Sequence, residues 1–263
     1  MKKFVLSGFA LAAMVATPAM AADLPVKAAP VPVVALYDWS GIYAGFNIGG
    51  AWADVTRTYP QPLAPLGPNT AFTSSGSDWI YGFHVGAQMQ WGRLVLGVEA
   101  AWSACFDSCR SQVALPSPPF TGAAPATLSA VNKIQDLATI GPRLGYAWDR
   151  WMIYGTGGWA SANIKGEYIN NTTGAGFAPT FWGQSRNHGW FAGVGVEFVV
   201  ARGVLADFIL GAEYQHFDVR SKRAFTDGVV AGAPNTFDHD ASGDIVRVRL
   251  TVKSHGFPFL AAR

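Results

Sequence analysis

The sequence predicts an all-β chain folded as a transmembrane, antiparallel up-and-down β-barrel of eight strands. Three observations predict it: an export leader, period-2 alternation in segments too polar for spanning helices, and connections that alternate between short and long. Half of the 263 residues are apolar and 14% are charged, with 30 glycines and 10 tryptophans. Past the leader, no uncharged apolar run reaches the length a spanning helix needs. A bilayer offers no water to backbone amides, so a closed barrel is the remaining way across.

The leader comes first in the chain. Met1-Lys2-Lys3 is a positive n-region, Phe4 to Val15 an apolar h-region, and Ala19-Met20-Ala21 a small-residue cleavage site, so residues 1–21 read as a signal peptide. An uncleaved anchor is the alternative; the apolar run is short for it. Cleavage removes two lysines and no acid, leaving 17 basic and 17 acidic residues in 242. A neutral chain lacks the basic face that nucleic acid requires. Residues 22–38, with Pro25, Pro30 and Pro32, read as an extended periplasmic lead, 39–253 as the barrel and 254–263 as a tail.

Eight alternating segments follow. In 41–53, Ile42, Ala44, Phe46, Ile48 and Trp52 oppose Tyr43, Gly45, Asn47 and Gly49. In 78–91, Trp79, Tyr81, Phe83, Val85, Ala87, Met89 and Trp91 oppose a face that includes His84, Gln88 and Gln90. In 93–103, Leu94, Leu96, Val98, Ala100 and Trp102 oppose Val95, Gly97, Glu99 and Ser103. The fourth, about 133–148, sets Ile134, Ala138, Ile140, Leu144, Tyr146 and Trp148 against Lys133, Gln135, Thr139, Arg143 and Gly145, with Pro142 as a blemish in the ladder. The fifth, 151–166, is glycine-rich and its faces are indistinct. In 188–199, Trp190, Ala192, Val194, Val196 and Phe198 oppose Phe191, Gly193, Gly195 and Glu197. In 205–217, Phe208, Leu210, Ala212 and Tyr214 oppose Gly211, Glu213 and Gln215. In 244–253, Val246, Val248, Leu250 and Val252 oppose Arg247, Arg249, Thr251 and Lys253.

Six apolar faces carry no charge; the exceptions are the fourth, with Asp136, and the fifth. An Arg or Lys facing lipid at mid-bilayer costs about 2–4 kcal/mol, which accounts for the exclusion. A soluble sandwich would also alternate, so the connections decide. Short turns at Trp91-Gly92-Arg93, Asp149-Arg150 and Val200 to Gly203 alternate with connections of roughly 20 to 30 residues, the pattern of periplasmic turns and extracellular loops. With that topology, Trp39, Trp91, Trp148 and Trp151 fall at the periplasmic rim, and Trp52, Trp79, Trp102 and Trp190 at the outer rim.

Ala22-Asp23-Leu24-Pro25 and the run Trp39 to Gly50 resemble the opening of alphaproteobacterial outer-membrane surface-antigen barrels. Gly97-Val98-Glu99-Ala100, Gly141 to Ala147, Tyr154 to Ala160, Gly193 to Glu197 and Ala212-Glu213-Tyr214 extend the resemblance, in order, over the mature chain. It implies an abundant, porin-like, antigenic envelope barrel in the Gram-negative outer membrane, in contact with outer-membrane lipid, lipopolysaccharide and the barrel-assembly machinery. It implies no catalytic residues. Relatives usually end on an aromatic residue that closes the last strand; here Ser254 stands in that place and ten residues, Ser254 to Arg263, follow the strand. Arg249 replaces the small residue usual in that strand, adding bulk to a tight lumen. The tail is expected to hang in the periplasm and to slow assembly.

Six charges fall on the lumen face: Glu99, Glu197 and Glu213 with Arg143, Arg247 and Arg249. Eight strands leave room only for side chains, and enclosed charges must pair. A structural salt-bridge plug is one reading; a gated, narrow channel for small hydrophilic solutes is the other. Cys105 and Cys109, in an oxidising compartment, are expected to form a local disulfide rather than remain free thiols, and no further Cys or His completes a metal set. A lipid A-modifying enzyme is the remote third reading. Ser103 is a conceivable nucleophile, but no motif joins it to His188 or to an acid, and the other histidines (His84, His216, His239, His255) are scattered. No cofactor, metal or catalytic residue is expected, and the loops name no ligand.

Overall fold

The computed structural model describes residues 37–59, 69–114, 128–170, 183–221, 224–225 and 236–255. The signal peptide, the lead before Tyr37 and the tail beyond His255 lie outside the described residues. Regular structure among the described residues is all strand, and none of it is a helix able to cross a membrane.

Ten strands occur: β1 (Gly41–Tyr59), β2 (Thr70–Trp91), β3 (Leu94–Cys105), β4 (Arg110–Ala114), β5 (Leu128–Trp148), β6 (Trp151–Asn170), β7 (Gly183–Arg202), β8 (Ala206–Arg220), β9 (Ala224–Phe225) and β10 (Thr236–Ser254). Eight of them form an antiparallel ring in the order β1-β2-β3-β5-β6-β7-β8-β10, closed by β10 on β1. β4 prolongs the line of β3 against β5, and β9 adds two residues beside the far end of β10. The stagger of the ring can be followed through paired residues: Gly45, His84, Ala101, Thr139, Ala160, Gly189, Val219, Ala241, and back on β1 at Val55. One circuit therefore climbs from position 45 to position 55 of the same strand. Eight strands with that stagger tilt by about 40° and enclose a backbone cylinder of roughly 8 Å radius. Side chains fill such a cylinder.

The two-residue turns begin on left-handed residues, Gly92 (φ 62°) and Asp149 (φ 54°), as tight hairpins require. The third turn is Gly203 to Leu205, later than expected, because β7 carries an irregularity between Val199 and Ala201 and runs on to Arg202. At the other two turns the strands end and begin within a residue of where the sequence places them. At the opposite, loop end most run well past expectation: β1 to Tyr59, β2 from Thr70, β10 from Thr236. Crossing needs about 9–11 residues, and β2 has 22, so the wall projects beyond the bilayer on the loop side only.

The faces change sense along each strand. Near the turns, Phe46 (75% exposed), Val98 (60%) and Leu144 (58%) point out and polar residues point in, as lipid demands. Near the loops the pattern is that of a soluble barrel. Ala53 and Val55 are buried while Asp54 points out, and Phe217 and Val219 are buried while Asp218 and Arg220 point out. The switch falls just past Trp52, Trp79, Trp159 and Trp190, all exposed, which mark one edge of the apolar band; Trp91, Trp148 and Trp151 mark the other.

Three expectations need correction. Trp39 is not a rim anchor but fully buried: it packs against Tyr37 and donates its indole N–H to the Asp149 carbonyl at 3.1 Å, so the last residues of the lead enter the barrel. In β5, Ile134 points inward and Gln135 outward, the reverse of the alternation from Leu137 onward, because a β-bulge between Ile134 and Asp136 resets the phase. Ser254 belongs to β10 rather than to the tail, its hydroxyl bonding both the N–H (3.3 Å) and the carbonyl (3.2 Å) of Ile42 across the closing seam. Pro142 interrupts the ladder as expected, and only locally. The β5–β6 ladder skips Gly141 and Pro142 opposite Gly157 and Gly158 without changing register, and the Thr156 hydroxyl donates to the Pro142 carbonyl at 3.1 Å.

Candidate functional site

The barrel interior is stacked in layers that β10 alone spells out from the turn end: Lys253, Thr251, Arg249, Arg247, Ile245, Gly243, Ala241, His239 and Phe237 all point inward. The first layer is a clasp. The Tyr37 hydroxyl donates to Asp207 at 2.7 Å, Lys253 approaches the same carboxylate at 3.8 Å, and His255 bonds its other oxygen at 3.0 Å. Burial and the neighbouring carboxylate raise the Tyr37 pKa, so its hydroxyl stays a donor. Trp39, Met152, Val95, Ile209 and Val199 pack above it as an apolar floor.

The charge layer lies on that floor. All six charges named from the sequence are here and all are buried. Arg249 is the hub: it grips Glu99 through both terminal nitrogens (2.6 and 2.8 Å), bonds Glu213, and lies 3.8 Å from Glu197. Arg143 bridges Glu197 (2.7 Å) and Glu99 (3.3 Å), while Arg247 holds Glu213 through Nε at 3.1 Å and reaches Gln215 at 2.9 Å. Two tyrosines complete the layer. Tyr43 donates to Glu99 at 2.9 Å and Tyr154 to Glu213 at 2.6 Å, with the Arg143 guanidinium 3.6 Å from the centre of the Tyr154 ring. Such charge-assisted bonds and cation–π contacts suit a closed, polarised cluster.

Inward glycines make the room. A Cβ on Gly86 would fall 2.4 Å from the Tyr43 ring, and one on Gly195 2.4 Å from the Tyr154 ring. The bulk of Arg249, expected to crowd the lumen, lies opposite Gly211. Sequence reasoning missed Tyr154, since the glycines of β6 obscure its alternation; Met152 inward and Trp151 and Ile153 outward would have located it.

A second apolar layer caps the charges: Ile80, Ile134, Leu137, Phe191, Phe217 and Ile245, with Val55, Ile164 and Val219 above them. Beyond it lies another polar layer. Buried Arg57 donates to Asn132 at 2.6 Å and to His239 at 3.2 Å and lies 4.5 Å from the Phe237 ring centre; Asn132 continues to Ser74, and Ser74 to Ser111, both at 2.9 Å. None of this layer was anticipated.

Cys105 and Cys109 are joined as a disulfide that closes the β3–β4 connection and packs against the second apolar layer, and Asp78 accepts the N–H groups of Asp107 (2.6 Å) and Cys109 (3.2 Å). Asp78 is the one acid beside the two sulfurs among the described residues, and disulfide sulfurs are poor metal ligands. Ser103 and His188 lie on opposite faces of the wall. Ser103 is buried near Arg247, and His188 is exposed and stacked on Trp159 with ring centres 5.4 Å apart. His84 faces the lumen and bonds Thr251 at 2.9 Å; His216 is on the outer face against Asp244 at 2.9 Å.

Comparison with known proteins places the chain. A 31 kDa outer-membrane immunogenic protein of Brucella melitensis is 31% identical over 238 residues, covering 86% of this chain and 90% of the relative, and its Brucella suis counterpart matches equally. Among solved structures, the outer membrane protein OprG from Pseudomonas aeruginosa aligns over 82% of this chain and 97% of its own, with a TM-score of 0.46 and 14% identity. The outer membrane protease OmpT from Escherichia coli aligns over 84% and 99%, with a TM-score of 0.41 and 10% identity. The outer membrane protein beta-barrel domain matches residues 7–243. With that match across most of its length, the chain belongs to the outer-membrane β-barrel protein family and resides in the Gram-negative outer membrane.

Proposed function

We propose that this protein is a closed, non-enzymatic barrel that strengthens the envelope and displays its loops at the cell surface. The apolar layer around Phe191, Phe217, Ile80 and Ile245 carries the reading. It separates two polar layers, so an ion moving along the lumen would have to shed its water between them. Each of the six charges beneath has at least one oppositely charged partner, in a network across five strands, which suits a brace better than a conduit. The turn end, clasped by Tyr37, Trp39 and Asp207, faces the periplasm. The loop end, where the wall outgrows the bilayer, faces outward.

A deletion strain tests this. It should become more sensitive to detergent and to chelator, with uptake of small hydrophilic solutes unchanged. Slower solute uptake with an intact barrier would favour the narrow channel instead. An altered acylation pattern of lipid A would favour the lipid-modifying enzyme.

A further inference from the structure

The outer face of the loop end is electrically lopsided. On β8, β10 and β1, Asp218, Asp238, Asp240, Asp244 and Asp54 all point outward. Arg220, held by Asp218 at 3.1 Å, is the cation set among them in the described wall, and Arg110 borders the groove that holds Asp54 and Asp244. Burial, with the charges of Asp238 and Asp218, holds the Asp240 carboxyl above its usual range. Further round the ring, β5, β6 and β7 carry Lys133, Lys165 and Arg186 on the same outer face. Lys133 and Lys165 are direct cross-strand partners, and like charges so placed destabilise a sheet. Two acids answer these three cations in the described wall. Glu167 is shared by Lys133 (3.0 Å) and Lys165 (2.9 Å), and Asp136 lies 3.6 Å from Arg186.

The ring stagger sets the heights. Followed from pair to pair, Lys133, Lys165, Arg186, Asp54 and Asp240 fall within about 3 Å of one level, above the outer tryptophans. A tilt of about 40° carries each strand about two and a half places round the ring over about 20 Å of descent, so different strands lie beneath. Under the acids is an apolar groove on β6, β7 and β8, where outward Gly155, Val194 and Ala212 leave the wall low. Under the cations is an aromatic ridge on β1, β2 and β3. It is made by Phe46, 75% exposed, with Phe83 and Trp102, whose ring centres are 5.5 Å apart. The stagger puts groove and ridge at about the same depth in the bilayer.

We infer that these two faces dock on one another between copies of this chain: the acidic face and groove of one barrel receive the cationic face and aromatic ridge of the next. Copies insert in one sense into one plane, so faces at matching heights meet. Lipid is as apolar as the wall, so contact within the bilayer depends on shape, and ridge against groove supplies it. Above the bilayer, charge complementarity selects this pairing and opposes like faces. Two different faces in contact make a heterologous interface, which propagates into rows instead of stopping at a pair. The docking is the same whichever end of the barrel faces outward.

The test needs no altered residue. Outer-membrane vesicles holding the full mature chain are treated with a water-soluble carbodiimide, which joins a lysine amine to a touching carboxylate as an amide and takes up the lost water as a urea. Tryptic mapping should then find Lys133 or Lys165 joined to Asp54, Asp238 or Asp240. Within one chain those partners are about 15 Å apart across a filled barrel, too far for a zero-length link, so each such link joins two copies. A gel should show a ladder of multiples. Links from Lys133 or Lys165 to Glu167 within one chain report that the reagent reaches the face. Absence of the aspartate links, or a dimer band with no higher members, would overturn the proposal. Ala212→Trp, which fills the groove from a lipid-facing position, should cut the interchain yield at least about fivefold and leave the Glu167 links unchanged. Wild-type interchain yield from that folded variant would overturn it as well.

Discussion

Removing Glu213 should be among the most damaging single changes in the charge layer. Its carboxylate accepts from Tyr154 at 2.6 Å, from Arg247 through Nε and Nη2, and from Arg249, and its side chain is fully buried. In Glu213→Ala, Arg247 keeps Gln215 as an acceptor and Arg249 keeps Glu99, but two guanidiniums then share less negative charge in a dry site. Breaking a buried pair on one side costs about 3–5 kcal/mol, because the surviving charge stays desolvated. Glu213→Gln retains one acceptor oxygen and the shape, so about 2 kcal/mol is expected, the value of charge-assisted hydrogen bonds. Adding Arg247→Met to Glu213→Ala should recover at least about 1 kcal/mol relative to the sum of the single changes, since the orphaned charge is removed with its partner. Reversible urea unfolding in lipid vesicles, followed by tryptophan fluorescence and by the shift of the folded band, gives these differences. A loss below about 1 kcal/mol in Glu213→Ala would refute the argument, as it would mean that the lumen is wet enough to solvate both arginines.

Gly195→Val should displace the Tyr154 ring and cost about 1–3 kcal/mol by overpacking, whereas the outward Gly155→Val, whose Cβ would meet only the Gly193 carbonyl at an ordinary 3.9 Å, should be nearly neutral; the same unfolding assay compares them. Peptide mapping without reductant should recover Cys105 and Cys109 linked within one chain, and full alkylation of both thiols would contradict the disulfide. Ending the chain at residue 254 with Ser254→Phe should raise the heat-modifiable folded fraction in outer-membrane preparations. Equal or lower folded yield would show that the serine seam to Ile42, or the tail, already serves assembly.

Much of the membrane-embedded half was legible in the sequence, because lipid imposes one rule on it: apolar out. Phe46 and Ile48 against Asn47, or Val246 and Val248 against Arg247, leave no second reading of the faces. Above the bilayer the rule reverses, and segments read as lipid-facing had to stop where the reversal begins. Residues such as Phe217, Val219 and Ala241 therefore gave no sign that they build an internal apolar layer. Register was legible only where short turns fix it. The inward course of Tyr37 and Trp39 depends on contacts with Asp207 and Asp149, distant in sequence, and the bulge at Gln135 falls within the β5–β6 hairpin with no glycine or proline to mark it. The six lumen charges were legible as a set because alternation assigned each to the inner face. Their hub at Arg249 and their tyrosine partners required the stagger of the closed ring.

The most direct test of the closed lumen is electrical. Purified mature protein, refolded and inserted into a planar bilayer, should give no stable single-channel steps. Phe191→Ser with Phe217→Ser, which puts hydroxyls into the apolar layer, should admit water and produce small steps of a defined size. Large, stable steps from the unaltered protein would contradict the account, since ions would then be crossing the buried apolar layer of Phe191, Phe217, Ile80 and Ile245.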